Sequence, residues 1–319
     1  MSRKADPNIQ EPFGFLVVDK PGGMTSHDVV ARVRYGTHVR RIGHAGTLDP
    51  MATGILVLCL GMATRLSEYV MASTKRYTAT IRLGVETETY DATGHVTSTA
   101  DASHLTRERV EAALAHFQGR VKQIPPMFSA LKHEGKRLYD LARAGKEIER
   151  EARTVALETR LISFTQNDGE VVIDVTCSAG TYVRSIAHDV GALLGVGGHL
   201  TRLRREASGS LHDPLAWDAL EAAINDGSWQ RYLIDERVAL SGLPEIKLDL
   251  DAAQAVCNGR TIERSDPATS DGVSQSRAYG PGDSFLGILA PTGEHGERWK
   301  PEKIFLRSSP KSRSEEPGS

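Results

Sequence analysis

Across residues 43–61 the chain reads GHAGTLDPMATGILVLCLG, and Asp49 is the one acid in it. The proline that follows pushes Asp49 out of the helical region into an extended backbone. Gly43, Gly46 and Gly54 permit sharp reversals around it, and the apolar run after Gly54 anchors the segment in a core. On shape alone Asp49 reads equally well as a turn residue bonded to its own backbone or as a carboxylate held out to do chemistry. No second acid stands beside it for a glycosidase-type pair. No Ser/His or Cys/His spacing suggests a nucleophile with its base, and no glycine-rich phosphate loop ends in Lys-Ser/Thr. Cys59, Cys177 and Cys257 lack metal-ligand spacing and read as buried thiols of a reducing compartment. Any chemistry here would use one carboxylate, with no metal and no cofactor.

The elements that must position Asp49 follow from hydropathy. GFLVVDKPGG is a buried strand ending in a Pro-Gly-Gly turn. TSHDVVARVRYG is a helix capped by Thr25 or Ser26, with Val29, Val30 and Val33 on one face. The segment that opens the motif is an irregular loop, and GILVLCLG is a strand covered on both faces. ATRLSEYVM is helical. KRYTATIRLG alternates Tyr77, Ala79, Ile81 and Leu83 against polar neighbours, a half-buried antiparallel strand. VETETYDATG is a polar turn, HVTST continues the sheet, and TRERVEAALAHF is helical. ETRLISFTQNDGEVVIDVTCSAG is a hairpin turning at Asn167, Asp168 and Gly169. A helix begins near Thr181, GHLTRLRREASG is a strand, and PLAWDALEAAIND is a helix. This mixture with hairpin connections predicts an α+β fold with a largely antiparallel central sheet and flanking helices.

With 319 residues, 39% of them hydrophobic and 25% charged, the chain has room for about two domains with a sizeable core. The N-terminus lacks the apolar stretch of a signal peptide, and no apolar run is long enough to span a bilayer. A cytoplasmic protein is expected, and, with no apolar stripe left over, a monomer that needs no protein partner. The net charge of −2 argues against gripping nucleic acid with the whole surface, but local stripes suffice. RVRYGTHVRR and HLTRLRR are two such stripes. Residues 120–150 are a third, with eight Lys/Arg against four Asp/Glu, a Pro-Pro and interleaved Phe128 and Tyr139. This stretch reads as an excursion from the sheet that folds over a ligand. Near residue 241 a small β-rich module begins, with a capped helix ending at Gly259, a Ser/Gly/Pro-rich loop over 265–282, and strands in FLGILAP and EKIFLRS.

GHAGTLDPMATGILVLCLG resembles the catalytic motif of the TruB family of tRNA pseudouridine synthases. Five further segments follow in the family's order: DKPGGMTSHDVV, KRYTATIRLGVETETYDATG, IPPMFSALKHEGKRLYDLARAG, CSAGTYVRSIAHDVG and HLTRLRREASG. Together they cover about the first 210 residues. The last module resembles a PUA-like RNA-binding domain more loosely, and its 265–282 loop departs from the pattern. The resemblance implies a catalytic domain at 13–240 with an RNA-gripping insertion at about 120–152 and a PUA-like domain at 241–308. The polar segments at 1–12 and 309–319 are expected to be a disordered N-terminus and tail.

It further implies isomerisation of uridine to pseudouridine at position 55 in the T arm of tRNA. Asp49 would be the essential carboxylate, as nucleophile or as base. Arg184 would pair with it, lower its pKa and keep it ionised. Tyr77 would stack on the detached base, Tyr182 and Leu203 would line the pocket, and His44 would fill the gap left by the flipped nucleotide. For Leu203 a plain core position is an equal reading. Lys132, Lys136, Arg137, Arg143, Lys146 and Arg202 would hold phosphates. The alternatives are a non-catalytic RNA-binding or tRNA-folding protein on the same scaffold, and a hydrolase of free nucleosides, which would not need the basic insertion.

Overall fold

The computed structural model describes residues 11–129, 131–133, 135–146, 148–263, 275–294 and 296–305. In chain order the elements are β1 (Gly14–Lys20), α1 (Ser26–Thr37), β2 (Ile42–His44), β3 (Thr53–Leu60), α2 (Ser67–Ala72), β4 (Lys75–Leu83), β5 (Val85–Thr87), β6 (Val96–Thr99), α3 (Arg107–Leu114), β7 (Gly119–Gln123), β8 (Lys132–His133), β9 (Lys136–Arg137) and α4 (Leu138–Arg143). They continue with β10 (Arg153–Thr165), β11 (Glu170–Cys177), α5 (Val183–Leu194), β12 (Gly198–Ser208), α6 (Trp217–Asn225) and α7 (Glu236–Ala239). A second compact unit starts at Leu240. It holds β13 (Glu245–Lys247), α8 (Leu250–Cys257), β14 (Ile262–Glu263), β15 (Ser276–Gly280), β16 (Ser284–Thr292) and β17 (Arg298–Ile304).

The first unit is built on an eight-stranded sheet in the order β1-β3-β12-β4-β11-β10-β7, with β2 also on β3. Its pairings are antiparallel except β12 on β3, where Arg204 lies beside Thr53 and Arg205 beside Gly54. From Gly54 to Leu60, β3 is buried throughout, as a strand apolar on both faces must be. On β4, Ala79, Ile81 and Leu83 face the core while Arg76 and Arg82 are exposed. α5 buries Val183, Ile186, Ala187, Val190 and Leu194, the spacing of one helical face. Thr25 caps α1 in a reciprocal box with Asp28. No helix among the described residues is long and apolar enough to cross a membrane.

Several local expectations change. The start of the motif is not all irregular: Ile42–His44 is a strand, with Ile42 opposite Leu60 and His44 opposite Leu58. In ATRLSEYVM only Ser67–Ala72 is α-helical, after a 3-10 turn over Gly61–Leu66. There the Thr64 hydroxyl donates to the Gly61 carbonyl and the Ser67 hydroxyl to that of Thr64, which favours the tighter turn. VETETYDATG begins as β5, paired with β6. The basic excursion starts inside the sheet, because Gly119–Gln123 pairs with β10.

In the second unit the sheet order is β13-β15-β16-β17-β14. The expected 265–282 loop is part strand: β15 is buried along its length between β13 and β16. The remainder of that loop up to residue 274, most of the segment 1–12 and the whole of 309–319, both expected to be disordered, lie outside the described residues.

Gly54 sits between two strands, opposite Lys20 on β1 and beside Arg205 on β12. Its φ is +94°, and an added Cβ would run into the Arg205 backbone. Gly54→Ala should therefore lower unfolding stability by roughly 2–4 kcal/mol, read as a lower urea midpoint. An unchanged midpoint would show that β3 and β12 can part here.

Candidate active site

The loop carrying Asp49 is fastened on both sides. The Ala45 amide donates to the Val57 carbonyl at 2.8 Å. Ser26 at the start of α1 clasps Leu48: the Leu48 amide donates to its hydroxyl at 2.9 Å, and the hydroxyl donates to the Leu48 carbonyl at 3.2 Å. Beyond Asp49, the Pro50 carbonyl accepts from the Gly23 amide at 2.8 Å and from Lys20 Nζ at 3.2 Å. Lys20 is fully buried and also donates to the Pro21 and Met24 carbonyls. Burial lowers its ammonium to about 8, against the pull of Asp49 and Asp28. From β12 the buried Arg205 guanidinium donates to the Gly46 carbonyl at 3.0 Å and the Ile55 carbonyl at 2.6 Å.

The Asp49 carboxylate meets Arg184, in the first turn of α5, as a two-pronged pair. Nε lies 2.9 Å from Oδ2, and Nη2 donates to Oδ1 at 3.0 Å. The Arg184 side chain is 7% exposed and that of Asp49 30% exposed. The cation is therefore interior, while the carboxylate keeps an edge toward solvent. The rest of the guanidinium is used as well. Nη2 donates to the Phe128 carbonyl at 2.9 Å, Nη1 donates to the Thr89 carbonyl at 3.2 Å, and Nη1 lies 3.5 Å from Asp91 Oδ2. Asp91 is buried and accepts from the Thr89 hydroxyl, the Thr93 amide and the Thr93 hydroxyl. Arg184 is thus clamped between two carboxylates.

Burial raises the Asp49 carboxyl above its ordinary value. Arg184 pulls it back, Asp91 adds a further upward push, and Lys20 opposes that. The downward pull expected from Arg184 is present, but burial outweighs it.

Tyr77 lies on β4 directly opposite Arg205 on β12. Burial pushes its phenol up against the pull of the Arg205 guanidinium, and the Asp49 charge also reaches it. Tyr182 is the residue before α5. Its amide donates to Gln123 Oε1 at 2.8 Å, and Gln123 Nε2 donates to its carbonyl at 3.0 Å. Burial raises this phenol too, and Arg184 and Asp49 both act on it. Tyr77, Tyr182 and Arg184 thus gather within electrostatic reach of Asp49.

The other residues singled out from the sequence are placed differently. His44, at the end of β2, lies with Nε2 3.4 Å from His27 Nδ1, and its own Nδ1 is buried without a hydrogen-bond partner. Burial lowers its pKa to about 4, so the ring is neutral at pH 7. Leu203 is 7% exposed and belongs to the hydrophobic core, opposite Ala79. Arg202 is exposed, on the face of β12 opposite to Leu203 and Arg205, and is not brought to Asp49. Lys132 and Lys136 lie on the β8–β9 hairpin with Arg137 beside Lys136, and Arg143 ends α4. Their side chains lie outside the described residues. Lys146 is exposed.

Sequence reasoning missed Asp91, Thr89, Lys20 and Arg205. The one available signal was the pattern T-x-D-x-T at 89–93, an aspartate flanked by two threonines able to bond it. Nothing local tied it to Arg184.

Two family models match the chain. The model for the TruB family pseudouridylate synthase N-terminal domain matches residues 34–183, and that for the tRNA pseudouridylate synthase B C-terminal domain matches 184–239. The chain is 42% identical over 303 residues to a tRNA pseudouridine synthase B of Dehalococcoides mccartyi, covering 93% of this chain and 98% of that one. It is 43% identical over 281 residues to a protein of the same name from Burkholderia pseudomallei, covering 86% and 92% respectively. Among solved structures, a Cbf5-Nop10-Gar1 complex matches in fold with a TM-score of 0.69 at 23% identity, over 95% of this chain and 91% of that one. The chain belongs to the TruB family of pseudouridylate synthases.

Proposed function

We propose that this protein isomerises uridine to pseudouridine at position 55 in the T arm of tRNA, with Asp49 as the essential carboxylate. The observation that carries this reading is the Asp49–Arg184 fork: one acid, rigidly presented, with its inner side held by a buried cation and its outer edge open. In the reaction the N1–C1′ bond breaks, the uracil turns, and a C5–C1′ bond forms. The proton on C5 is lost and N1 takes one up, so atoms and electrons balance without an added reagent. A carboxylate fits this chemistry either as nucleophile toward ribose or uracil or as base.

The surroundings support the same reading. Tyr77 offers a flat face on which a detached base turns without losing contact. The target base must leave its loop, at a cost of a few kcal/mol. His44, neutral at pH 7, is suited to fill the space it vacates. Lys132, Lys136, Arg137, Arg143 and Lys146 lie on the hairpin, on the helix and just after it. This segment would close over the T arm and hold its phosphates. The second unit would add a PUA-like RNA contact.

Asp49→Asn separates this reading from a non-catalytic RNA-folding protein on the same scaffold. Pseudouridine formation in a T-arm stem-loop should fall by roughly 10³-fold or more, while binding of the stem-loop stays within about threefold of the parent chain. Activity at the parent level would remove Asp49 from the chemistry. Stem-loop affinity should also fall steeply with salt, with a log–log slope of about −3 to −5 if four or five phosphates are neutralised. A flat salt response would contradict the phosphate clamp.

A further inference from the structure

The turn that grips Arg184 has a second attachment to the same helix. Tyr90, between Thr89 and Asp91, has a φ of +62°, a left-handed conformation unusual for a bulky residue. Its amide donates to the Thr87 carbonyl at 3.1 Å, and its carbonyl accepts from the Leu200 amide on β12 at 3.0 Å. Its ring stacks on His188, with centroids 4.0 Å apart and planes inclined by 27°. His188 is one helical turn after Arg184 on α5, so both project from one face of that helix. His188 is in turn oriented from two sides. Nδ1 lies 2.9 Å from Asp189 Oδ1, and Nε2 lies 3.8 Å from Glu86 Oε1 on β5.

The turn therefore meets α5 at two points. Arg184 holds it through the Thr89 carbonyl and Asp91 Oδ2, and His188 holds it by stacking. The turn is also held on β12, where Leu200 bonds the Tyr90 carbonyl and the Ala92 amide; the stack adds a second point at which it is set against the helix. Fixing the turn fixes the two acceptors that meet Nη1 of the guanidinium, and the Nε–Nη2 side of the same plane carries Asp49.

We propose that Tyr90 and His188 are a positioning pair for the reaction: their stack locks residues 89–91 against α5 and so holds Arg184 in the orientation that aims Asp49. The inference rests on the reading of Asp49 as the reacting carboxylate. Neither ring touches Asp49, so the pair acts through Arg184.

The test is steady-state kinetics on a T-arm stem-loop for Tyr90→Ala, Tyr90→Phe, His188→Ala and the double alanine variant, between about pH 5 and 9, with Asp49→Asn as reference. Each single alanine variant should lower kcat roughly tenfold, because a small misplacement of a reacting group is enough, while KM changes less than about twofold. The double variant should be no slower than either single one, since the two rings act as one unit. Tyr90→Phe keeps the stack and should restore the rate. The acid limb of kcat should move to higher pH in the alanine variants. A loosened Arg184 pulls less on Asp49, which otherwise feels Asp91 from the turn and Lys20 from β1; Glu86 and Asp189 face His188 instead.

A parent-level kcat in Tyr90→Ala would overturn the proposal. So would losses that are equal in Tyr90→Phe, or that add in the double variant with the acid limb unmoved, the mark of general destabilisation. If Asp49→Asn is inactive and Tyr90→Ala is not, only the positioning role fails. If Asp49→Asn keeps full activity, the carboxylate reading itself fails.

Discussion

The site depends on one buried cation. Arg184 has given up water, and five interactions replace it: two prongs on Asp49, one contact with Asp91, and the carbonyls of Thr89 and Phe128. Take the guanidinium away, and two carboxylates and two carbonyls converge on an empty centre. Removing one member of such a buried network costs about 3–5 kcal/mol. The division of labour between the acids follows from exposure. Asp91 is buried and bonded by three groups from Thr89 and Thr93, so it serves the cation. Asp49 shares the same cation but keeps an open edge, so it is the acid a substrate can reach.

The fold brings this about by crossing distant segments at one seam. The parallel contact of β12 with β3 sets Arg205 beside Gly54, and the same Arg205 lies opposite Tyr77 on β4. Its guanidinium reaches back to Gly46 in the loop that presents Asp49. One buried side chain therefore ties the carboxylate loop to the tyrosine strand. Lys20 at the end of β1 fastens the far side of that loop through Pro50. Asp49 is held from two strands, clasped by Ser26 of α1, and aimed by α5.

Much of this was legible in the chain. Asp49 stood out because proline and glycines surround it, and α1 because Thr25 or Ser26 offers a cap just before the face of Val29, Val30 and Val33, all of it local sequence. The strands β3, β4 and β12 follow from hydropathy alone, since burial on one face or two leaves a period in the residues. What stayed hidden was non-local. TETYDATG is polar and reads as a turn, and nothing in it announces that Asp91 faces an arginine on α5. Arg205 looked like one charge in a basic stripe, because alternation along a strand does not say which face is inside. β15 was hidden by the Ser/Gly/Pro-rich sequence around it. For Asp49 the missing quantity was burial, a property of the packed structure, which outweighs the arginine and raises the carboxyl.

The most direct test of this account is the titration of the Asp49 carboxyl carbon by ¹³C NMR in the intact protein and in Arg184→Met. The account predicts a midpoint above the ordinary aspartate value of about 4 in the parent chain, and a further rise once the guanidinium is gone. A midpoint at or below that value, or one indifferent to Arg184, would contradict it.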